Sequence, residues 1–213
     1  PTAVTVNSYQ FNGTLYSENM GTPSGTTSLT TYSGWQNAAP LAYSANGTGT
    51  DVRVTTVSTA YAGASGGGNI WFGTTGGNLK TFTVSGINTL GYTNLVLSYG
   101  LLRSDITNGM TVEVSSDGVT FTALTVPQPS AANSWQLMTV NTGLPATSNL
   151  RIRFSKNFTT SFRLDDIKIT GTTTAPSISV TGNTMVCGAG SAILYSNIPS
   201  GDRKSTRLNS SHL

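Results

Sequence analysis

The sequence predicts an all-β fold, an antiparallel two-sheet β-sandwich, from its composition and its pattern of apolar residues. Only 9% of the 213 residues are charged, and Thr, Ser, Asn and Gly fill most positions between apolar residues. Thr is both β-branched and polar, so this composition suits strands with one solvent-facing side and gives little support to helices. Short runs of alternating apolar and polar residues are separated by Gly, Asn, Asp and Pro, which is typical of strands joined by turns.

The clearest single element is a hairpin in the middle of the chain. Met110, Val112 and Val114 alternate with polar residues, and residues 119–124 continue as a second extended segment. Between them, Asp117-Gly118 favours the positive φ angles of a tight two-residue turn. The sequence therefore predicts two antiparallel strands closed by that turn.

Two further segments show the period of a half-buried strand, residues 95–99 and residues 150–154, the latter with Arg151 and Arg153 on its polar face. Additional strands are predicted in residues 51–58, 69–72, 80–85, 135–140 and 162–170. The total of roughly eight to eleven strands would fill two stacked antiparallel sheets.

The basic character of the chain comes mainly from its last residues. Residues 202–213 contain three basic residues and one acidic residue, and the rest of the chain has 8 basic and 7 acidic residues, a net charge of +1. The segment from Asp202 to His212 resembles one reading frame of a sequencing-adapter oligonucleotide, so residues 202–213 are expected to be a non-native tail. A disordered basic tail is the alternative. Without clustered basic residues, nucleic-acid binding is not expected.

A change of composition divides the remaining chain into two modules. Residues 1–171 are predicted to form the sandwich, and residues 172–177 a Thr/Pro linker. Strand patterning resumes in residues 178–201, which are too few to complete a second sandwich. No run of 18 apolar residues is present, so no membrane insertion is expected. Both ends are expected to be cut, and the fragment is expected to be a monomeric module of a larger chain.

Several segments together resemble a known family: residues 86–98, 112–118, 145–154 and 162–168 are similar to jelly-roll modules of large secreted surface proteins of Bacteroidetes-type bacteria. The resemblance covers residues 15–171 and implies a jelly roll like carbohydrate-binding and galactose-binding-like modules. It also implies display on the cell surface or secretion, and a role in adhesion. Residues 177–187 are similar to the start of the Ig-like repeats that follow such modules, so a truncated Ig-like module is expected there.

The residues needed for most catalytic chemistry are missing or badly placed. The only His is His212, in the tail, so Ser-His-Asp or Cys-His catalysis has no proton shuttle. The only Cys is Cys187, which excludes an intrachain disulfide and a cysteine-based zinc site. The glycine-rich segment 63–68 lacks the Lys-Ser/Thr of a phosphate-binding loop. Seven carboxylates remain as candidates for glycoside hydrolysis, but turn and surface roles are favoured for most of them, so no enzymatic activity is expected.

The adjacent acids Asp165 and Asp166 lie where the apolar period changes phase, because Phe162 and Leu164 are out of step with Ile167 and Ile169. One of the two acids is therefore expected to face the core, where a carboxylate needs a cation or hydrogen bonds. The family resemblance implies a structural Ca²⁺ held by an early-strand Glu and a last-strand Asp, which here match Glu18 and Asp165, with Asp166 a less certain ligand. The alternatives are a salt bridge to Arg163 or Arg153, or a hydrogen-bonded Asp at a β-bulge.

Loop aromatic residues are the best candidates for binding a polysaccharide or surface glycan, because sugar C–H groups pack on exposed aromatic faces. Trp35 leads these candidates, with Tyr32, Gln36 and Asn37 beside it, and Tyr43 and Tyr61 as further loop aromatics. Burial of Trp35 under a loop is the alternative. Trp71 and Trp135 lie in predicted strands and are expected in the core.

The leading functional hypothesis is a non-catalytic extracellular module that binds a glycan or another surface polymer. One alternative is a structural spacer or protein–protein adhesion domain, in which Trp35, Tyr32 and Tyr61 would be buried. A second alternative is an accessory domain of a secreted hydrolase whose catalytic domain lies outside this chain.

Overall fold

The computed structural model describes residues 11–37, 39–46, 48–173, 178–181 and 193–196. Apart from two-residue strands, the elements are β-strands of 4 to 12 residues, and the described part of the chain has no helix, so none that could cross a membrane. The strands are β1 Asn12–Glu18, β2 Thr27–Ser28, β3 Ala42–Ala45, β4 Thr50–Arg53, β5 Asn69–Phe72, β6 Leu79–Ile87, β7 Tyr92–Arg103, β8 Thr111–Ser115, β9 Thr122–Ala123, β10 Gln136–Val140, β11 Leu150–Asn157, β12 Phe162–Thr173, β13 Ile178–Thr181 and β14 Ile193–Ser196.

Residues 12–173 form one compact unit with two antiparallel sheets. The first, sheet A, has the order β10-β7-β12-β5-β4-β2, and β1 also pairs with β12. The second, sheet B, has the order β3-β6-β11-β8-β9. The predicted all-β, two-sheet antiparallel sandwich is therefore confirmed.

The core lies between the two sheets and follows the alternation of the strands. In sheet B, Phe82 on β6 and Phe154 on β11 face inward at paired positions. In sheet A, Tyr99 on β7 meets Phe154 edge-on, with ring centres 5.2 Å apart. All three side chains are fully buried, so large rings fill the space between the two sheets and their burial contributes to the stability of the sandwich.

Strand β12 crosses the middle of sheet A and has different partners along its two halves. On one side it pairs with β7 along most of its length. On the other side its first residues pair with β5, up to Leu164 opposite Ile70, and its later residues pair with β1, from Ile167 opposite Glu18. Between Asp165 and Lys168 the register shifts against β7, and Asp166 has a φ of 50°. The predicted change of phase is thus a β-bulge at the point where one partner strand replaces the other.

The predicted hairpin is present, but its turn is longer than the sequence suggested. Strand β9 has only two residues, and Gly118 has a positive φ of 80° while Asp117 does not. The Asp117 carboxylate accepts hydrogen bonds from the Val119 and Thr120 amides at 2.8 Å, which lowers its pKa to about 2. An Asp side chain that captures two amides favours this wider loop over a two-residue turn.

Other predicted boundaries shift by a few residues. Strand β4 ends at Arg53, so residues 54–58, predicted as strand, lie outside it. Strand β12 continues to Thr173, two residues into the predicted linker, whose residues 174–177 lie outside the described part. Beyond it, β13 and β14 pair antiparallel as a separate two-stranded sheet. The rest of the predicted Ig-like segment and the tail lie outside the described residues, as does Cys187.

Two lysines face the interior at one end of the sandwich, at paired positions of β6 and β11. Lys80 is 1% exposed and donates to the Thr48 and Thr75 carbonyl oxygens at 2.6 Å, whereas Lys156 is 2% exposed and donates to the Phe158 carbonyl at 2.9 Å. Within the described part, neither ammonium has an ion pair. Burial, and then the charge of Lys80, lowers the pKa of Lys156.

These two lysines should differ sharply in their contribution to stability. Lys80→Met leaves two carbonyl groups without their donor, and we expect the free energy of unfolding to fall by about 2–4 kcal/mol. Lys156→Met removes an ammonium that burial disfavours and leaves only the carbonyl of the half-buried Phe158 without its donor, so the two effects offset and we expect a change of less than about 1 kcal/mol in either direction. Urea denaturation at pH 7 measures both values, and equal losses in the two variants would contradict this assignment.

Lys156 also predicts the direction in which the stability of the fold depends on pH. The pKa of Lys156 is lower in the folded than in the unfolded chain. As the pH rises through the folded-state pKa, the folded chain therefore loses this proton while the unfolded chain keeps it. The penalty from Lys156 is therefore fully present below the folded-state pKa and is relieved as the pH rises from there to the ordinary pKa of 10.5. In urea denaturation at a series of pH values, the parent protein should gain stability relative to Lys156→Met as the pH rises.

Candidate functional site

Glu18, the last residue of β1, is completely buried, and its carboxylate is surrounded by donors from the protein. Its Oε1 accepts hydrogen bonds from the Met20 amide at 2.9 Å and the Gln36 amide at 3.2 Å. Its Oε2 accepts from the Gln36 amide at 3.0 Å, the Asn37 Nδ2 at 3.1 Å and the Tyr43 hydroxyl at 2.8 Å. The carboxylate therefore fastens the segment 31–37 and strand β3 to the end of β1.

Trp35 is half-buried and is fixed by other aromatic rings. Its ring stacks on Tyr43, with centres 3.9 Å apart and an interplanar angle of 10°, and meets Tyr32 edge-on at 5.0 Å. Tyr32 in turn donates its hydroxyl to the Met20 carbonyl oxygen. Packing thus holds Trp35 in one orientation, and part of its side chain stays exposed to solvent. Its exposure is intermediate between that of an exposed ligand-binding residue and that of a residue buried under a loop.

Gln36 and Asn37 lie beside Trp35, as predicted, but they also make bonds that fix the loop. Gln36 is exposed, and its Oε1 accepts from the Asn19 amide at 3.0 Å. The Asn37 Nδ2 donates to the Ser17 carbonyl oxygen at 2.8 Å as well as to Glu18. The structure therefore brings together Tyr32, Trp35, Gln36 and Asn37 around Glu18, and we call these four residues the Trp35 loop.

Tyr61, the fifth predicted ligand-binding residue, lies on the outer face of sheet A, the face that points away from the core. Its hydroxyl donates to the Asp166 carboxylate at 2.5 Å, and its ring tilts against Trp135 with centres 6.5 Å apart. Burial, and then the bond to Asp166, raises the pKa of Tyr61. Trp135 is 4% exposed, as predicted, and donates to the Thr56 carbonyl oxygen. These contacts give Tyr61 a different neighbourhood from the Trp35 loop.

Asp165 and Asp166 form the bulge of β12 and lie under the segment that contains Tyr61. Asp165 is fully buried; its Oδ1 accepts from the Asp166 amide at 2.7 Å, and its Oδ2 is buried without a hydrogen-bond partner. Burial, and then the charge of Asp166, raises the pKa of Asp165 to about 8. Opposite Asp165 on β7 stands Gly100, where a Cβ would overlap the Tyr61 hydroxyl.

The Asp166 carboxylate is better satisfied than that of Asp165. Its Oδ2 accepts from the Ser58 hydroxyl at 3.2 Å and the Ser65 amide at 3.1 Å, in addition to Tyr61. Arg163 and Arg153, the salt-bridge partners considered from sequence, have other partners, Asn69 and Glu113 respectively. Of the alternatives to a metal, the hydrogen-bonded Asp at a β-bulge is the one that the structure contains.

The residues expected to hold Ca²⁺ fit that role unequally. The unpartnered Oδ2 of Asp165 is a carboxylate oxygen of the kind that Ca²⁺ prefers. Both oxygens of Glu18 are already occupied by protein donors. Among the described residues, no group of three or more acidic, His or Cys side chains comes together. A Ca²⁺ site is therefore compatible with the bulge, whereas Glu18 belongs to a separate hydrogen-bond network.

A second cluster lies on the outer face of sheet A around Trp71, a residue that was predicted to lie in the core. Trp71 is half-exposed, and the guanidinium carbons of Arg53 and Arg163 lie 4.8 and 4.5 Å from the centre of its ring. Asp51 pairs with Arg53 at 2.6 Å. We call Asp51, Arg53, Trp71 and Arg163 the Trp71 cluster. The alternation of β5 could have revealed it, because Ile70 and Phe72 on either side of Trp71 face the core.

The remaining carboxylates have structural partners. Glu113 forms a bidentate pair with Arg153 at 2.8 and 3.0 Å. Asp105 accepts from the Thr107 amide and the Thr107 and Thr160 hydroxyls, and these bonds lower its pKa. Together with the turn role of Asp117, these contacts agree with the turn and surface roles expected for most of the acids.

No protein-family model matches the chain, and no curated protein matches it. Solved structures do match. A CBM61 module in complex with β-1,4-galactotriose has a TM-score of 0.41 and 11% identity, covering 62% of this chain and 88% of that one. The CBM22-1 xylan-binding domain of a Paenibacillus barcinonensis xylanase has a TM-score of 0.43 and 15% identity, covering 77% and 97%. A cleaved adhesin domain of Lys-gingipain has a TM-score of 0.44 and 14% identity, covering 75% and 97%.

These similarities are to the fold class alone, because every TM-score given is below 0.5 and every identity is 15% or less. The chain contains a β-sandwich module similar in architecture to carbohydrate-binding and adhesin modules. The ligands named for those proteins are theirs. Any binding function of this chain has to be argued from its own residues.

The role of Glu18 in holding the segment 31–37 and strand β3 in place can be tested by changing one atom of its carboxylate. Glu18→Gln replaces an acceptor oxygen with an NH₂ group that faces donors, and we expect the free energy of unfolding to fall by about 2–4 kcal/mol. Tyr43→Phe removes only one donor and should cost about 1 kcal/mol. Urea denaturation in the presence of chelator measures both, and a Glu18→Gln change smaller than that of Tyr43→Phe would refute the assignment.

Proposed function

We propose that this chain is a non-catalytic extracellular module that binds a glycan through the Trp35 loop. The observation that carries the proposal is the half-exposed indole of Trp35, fixed from behind by Tyr43 at 3.9 Å and from the side by Tyr32. A rigid aromatic surface can pack against the C–H groups of a sugar ring without losing much side-chain freedom on binding. Display at the cell surface or secretion is part of the same proposal.

The polar residues of the loop supply the directional part of this recognition. Gln36 is exposed and its Oε1 is held by the Asn19 amide, so its amide nitrogen is positioned beside Trp35 as a donor for a sugar hydroxyl. The network beneath the loop, centred on Glu18, keeps these groups in place before a ligand arrives. Such preorganisation lowers the entropic cost of binding.

The proposal predicts a loss of glycan binding when the indole is removed. A glycan array screened with residues 1–175 identifies a ligand, and titration calorimetry then gives its affinity. For that ligand we expect Trp35→Ala to weaken binding at least tenfold, about 1.4 kcal/mol, while Trp35→Phe retains part of the affinity. Melting temperatures of both variants verify that they fold.

The matched control is Phe121→Ala, which removes a half-exposed ring that packs under Arg153 on sheet B, with the guanidinium carbon 3.8 Å from the ring centre. It should bind like the parent protein. Binding to no glycan on the array, or equal affinity of Trp35→Ala and the parent protein, would refute glycan recognition by this loop and favour a spacer or a protein–protein adhesion role.

We further propose that Ca²⁺ stabilises the scaffold at the bulge of β12, with Asp165 as the main ligand, Asp166 beside it, and Glu18 as the weakest of the three candidates. The unpartnered, buried Oδ2 of Asp165 supports this assignment. An ion in this position would be structural. It would lie under the segment that contains Tyr61 and would bind β12, the strand with which both β1 and β5 pair.

The Ca²⁺ proposal predicts opposite effects of Asp165→Asn with and without the ion. In chelator, the variant should be as stable as the parent protein or more stable, because it removes an unpaired buried carboxylate. With Ca²⁺ at about 100 times its Kd, the parent protein should gain about 2.7 kcal/mol and the variant should gain little. Thermal denaturation measures this; Glu113→Gln is the control that should keep the gain. A parent protein with the same melting temperature in both conditions would exclude the ion.

A further inference from the structure

The Trp71 cluster spans three neighbouring strands of sheet A at paired positions. Asp51 on β4 lies opposite Trp71 on β5, and Trp71 lies opposite Arg163 on β12. The intervening residues of these strands, among them Ile70 and Leu164, are part of the core. The cluster therefore belongs to the outer face of the sheet, and strand pairing fixes the spacing of its members.

The cluster carries more positive than negative charge. Asp51 forms a bidentate pair with Arg53, with distances of 2.6 and 3.1 Å. Arg163 is 7% exposed and donates to the Thr55 carbonyl oxygen and the Asn69 Oδ1, both at 2.8 Å, and among the described residues it has no carboxylate partner. Burial, and then the charge of Arg53, lowers the pKa of Arg163. The cluster therefore has two guanidinium groups and one carboxylate, and an anion at this face would balance the surplus positive charge.

The members of the cluster differ in what they can offer a ligand. The bonds of Arg163 to Thr55 and Asn69 make it a fixed, buried part of the face. The side chain of Arg53 is 27% exposed, and its pair with Asp51 uses Nε and Nη2. The Nη1 group of Arg53 is therefore the donor that a ligand can reach, and it lies next to the half-exposed indole of Trp71.

We propose that the Trp71 cluster is a second binding site, specific for an anionic polysaccharide. The carboxylate or sulfate of a sugar accepts hydrogen bonds from Arg53, and the sugar contacts the exposed part of the Trp71 indole, over which the guanidinium groups of Arg53 and Arg163 lie. An arginine beside an aromatic ring combines planar anion recognition with apolar contact. Nucleic acid fits less well, because residues 1–201 have a net charge of only +1, whereas binding to a phosphate backbone draws on many basic residues.

This site is distinct from the Trp35 loop, which packs against Tyr43 of β3 in sheet B. The two proposals can therefore fail independently. A chain that binds neutral glycans through Trp35 need not bind acidic ones through Trp71, and the converse also holds.

The test compares charged chains with neutral chains of the same backbone. Affinity gel electrophoresis measures binding to polygalacturonate against highly methyl-esterified pectin, and to dextran sulfate against dextran. We expect at least a tenfold preference for the charged member of one pair, and the pair identifies the anion as carboxylate or sulfate. The preference should be lost in Arg53→Gln and in Trp71→Ala, reduced in Arg53→Lys, and kept in the control variant Phe121→Ala.

Melting temperatures verify that each variant is folded, and Arg53→Gln is the decisive variant because it changes a partly exposed side chain. The preference should also weaken as NaCl is raised, since the contact is between opposite charges near the surface. No preference in either pair, or a preference that Arg53→Gln and Trp71→Ala leave unchanged, overturns the proposal.

Discussion

The bulge in β12 is the constraint on which the architecture of sheet A depends. One extra residue at Asp165–Asp166 lets Leu164 and Ile167 both face the core although they are three positions apart. It also marks the place where β5 ends as the partner of β12 and β1 begins. Since a slip of one residue would reverse the faces of a strand, the bulge keeps both halves of β12 in register with a single core. The cost is a buried carboxylate with one unpartnered oxygen, which is the observation behind the proposed Ca²⁺ site.

Aromatic rings connect the surface of the module with its centre. Trp35 stacks on Tyr43, Phe82 is near both of them at 6.0 and 6.3 Å, and Phe154 follows at 6.4 Å. The exposed part of Trp35 is thus one end of a row of rings that continues into the core. In the proposed function, a ligand contact at Trp35 would rest on side chains that packing already holds in place, so the rings that stabilise the core would also support recognition.

The sequence predicted the fold well because the fold depends on local alternation. The strand periods, the change of phase before Ile167 and the scarcity of helix-forming residues are visible in one dimension. The neighbourhoods of individual side chains were harder to predict, because strand order determines them. Tyr61 and Trp35 are both loop aromatics in sequence, yet one contacts Asp166 and the other packs near Glu18. Trp71 was expected in the core because it lies in a strand, although its own alternation with Ile70 and Phe72 indicates the outer face.

Sparse charge changes how each charged residue has to be interpreted. Within residues 1–201 there are 15 charged side chains, and six of them are buried: Glu18, Lys80, Arg103, Lys156, Arg163 and Asp165. Charge in this module therefore holds loops and strands together more than it provides solubility, which hydroxyl and amide groups supply. With a net charge of +1, the long-range field of residues 1–201 is weak and can do little to attract an anion from a distance. Any preference for acidic polysaccharides must then come from short-range contacts such as those of Arg53. The effect of salt and of single substitutions on that preference therefore reports directly on the Trp71 cluster.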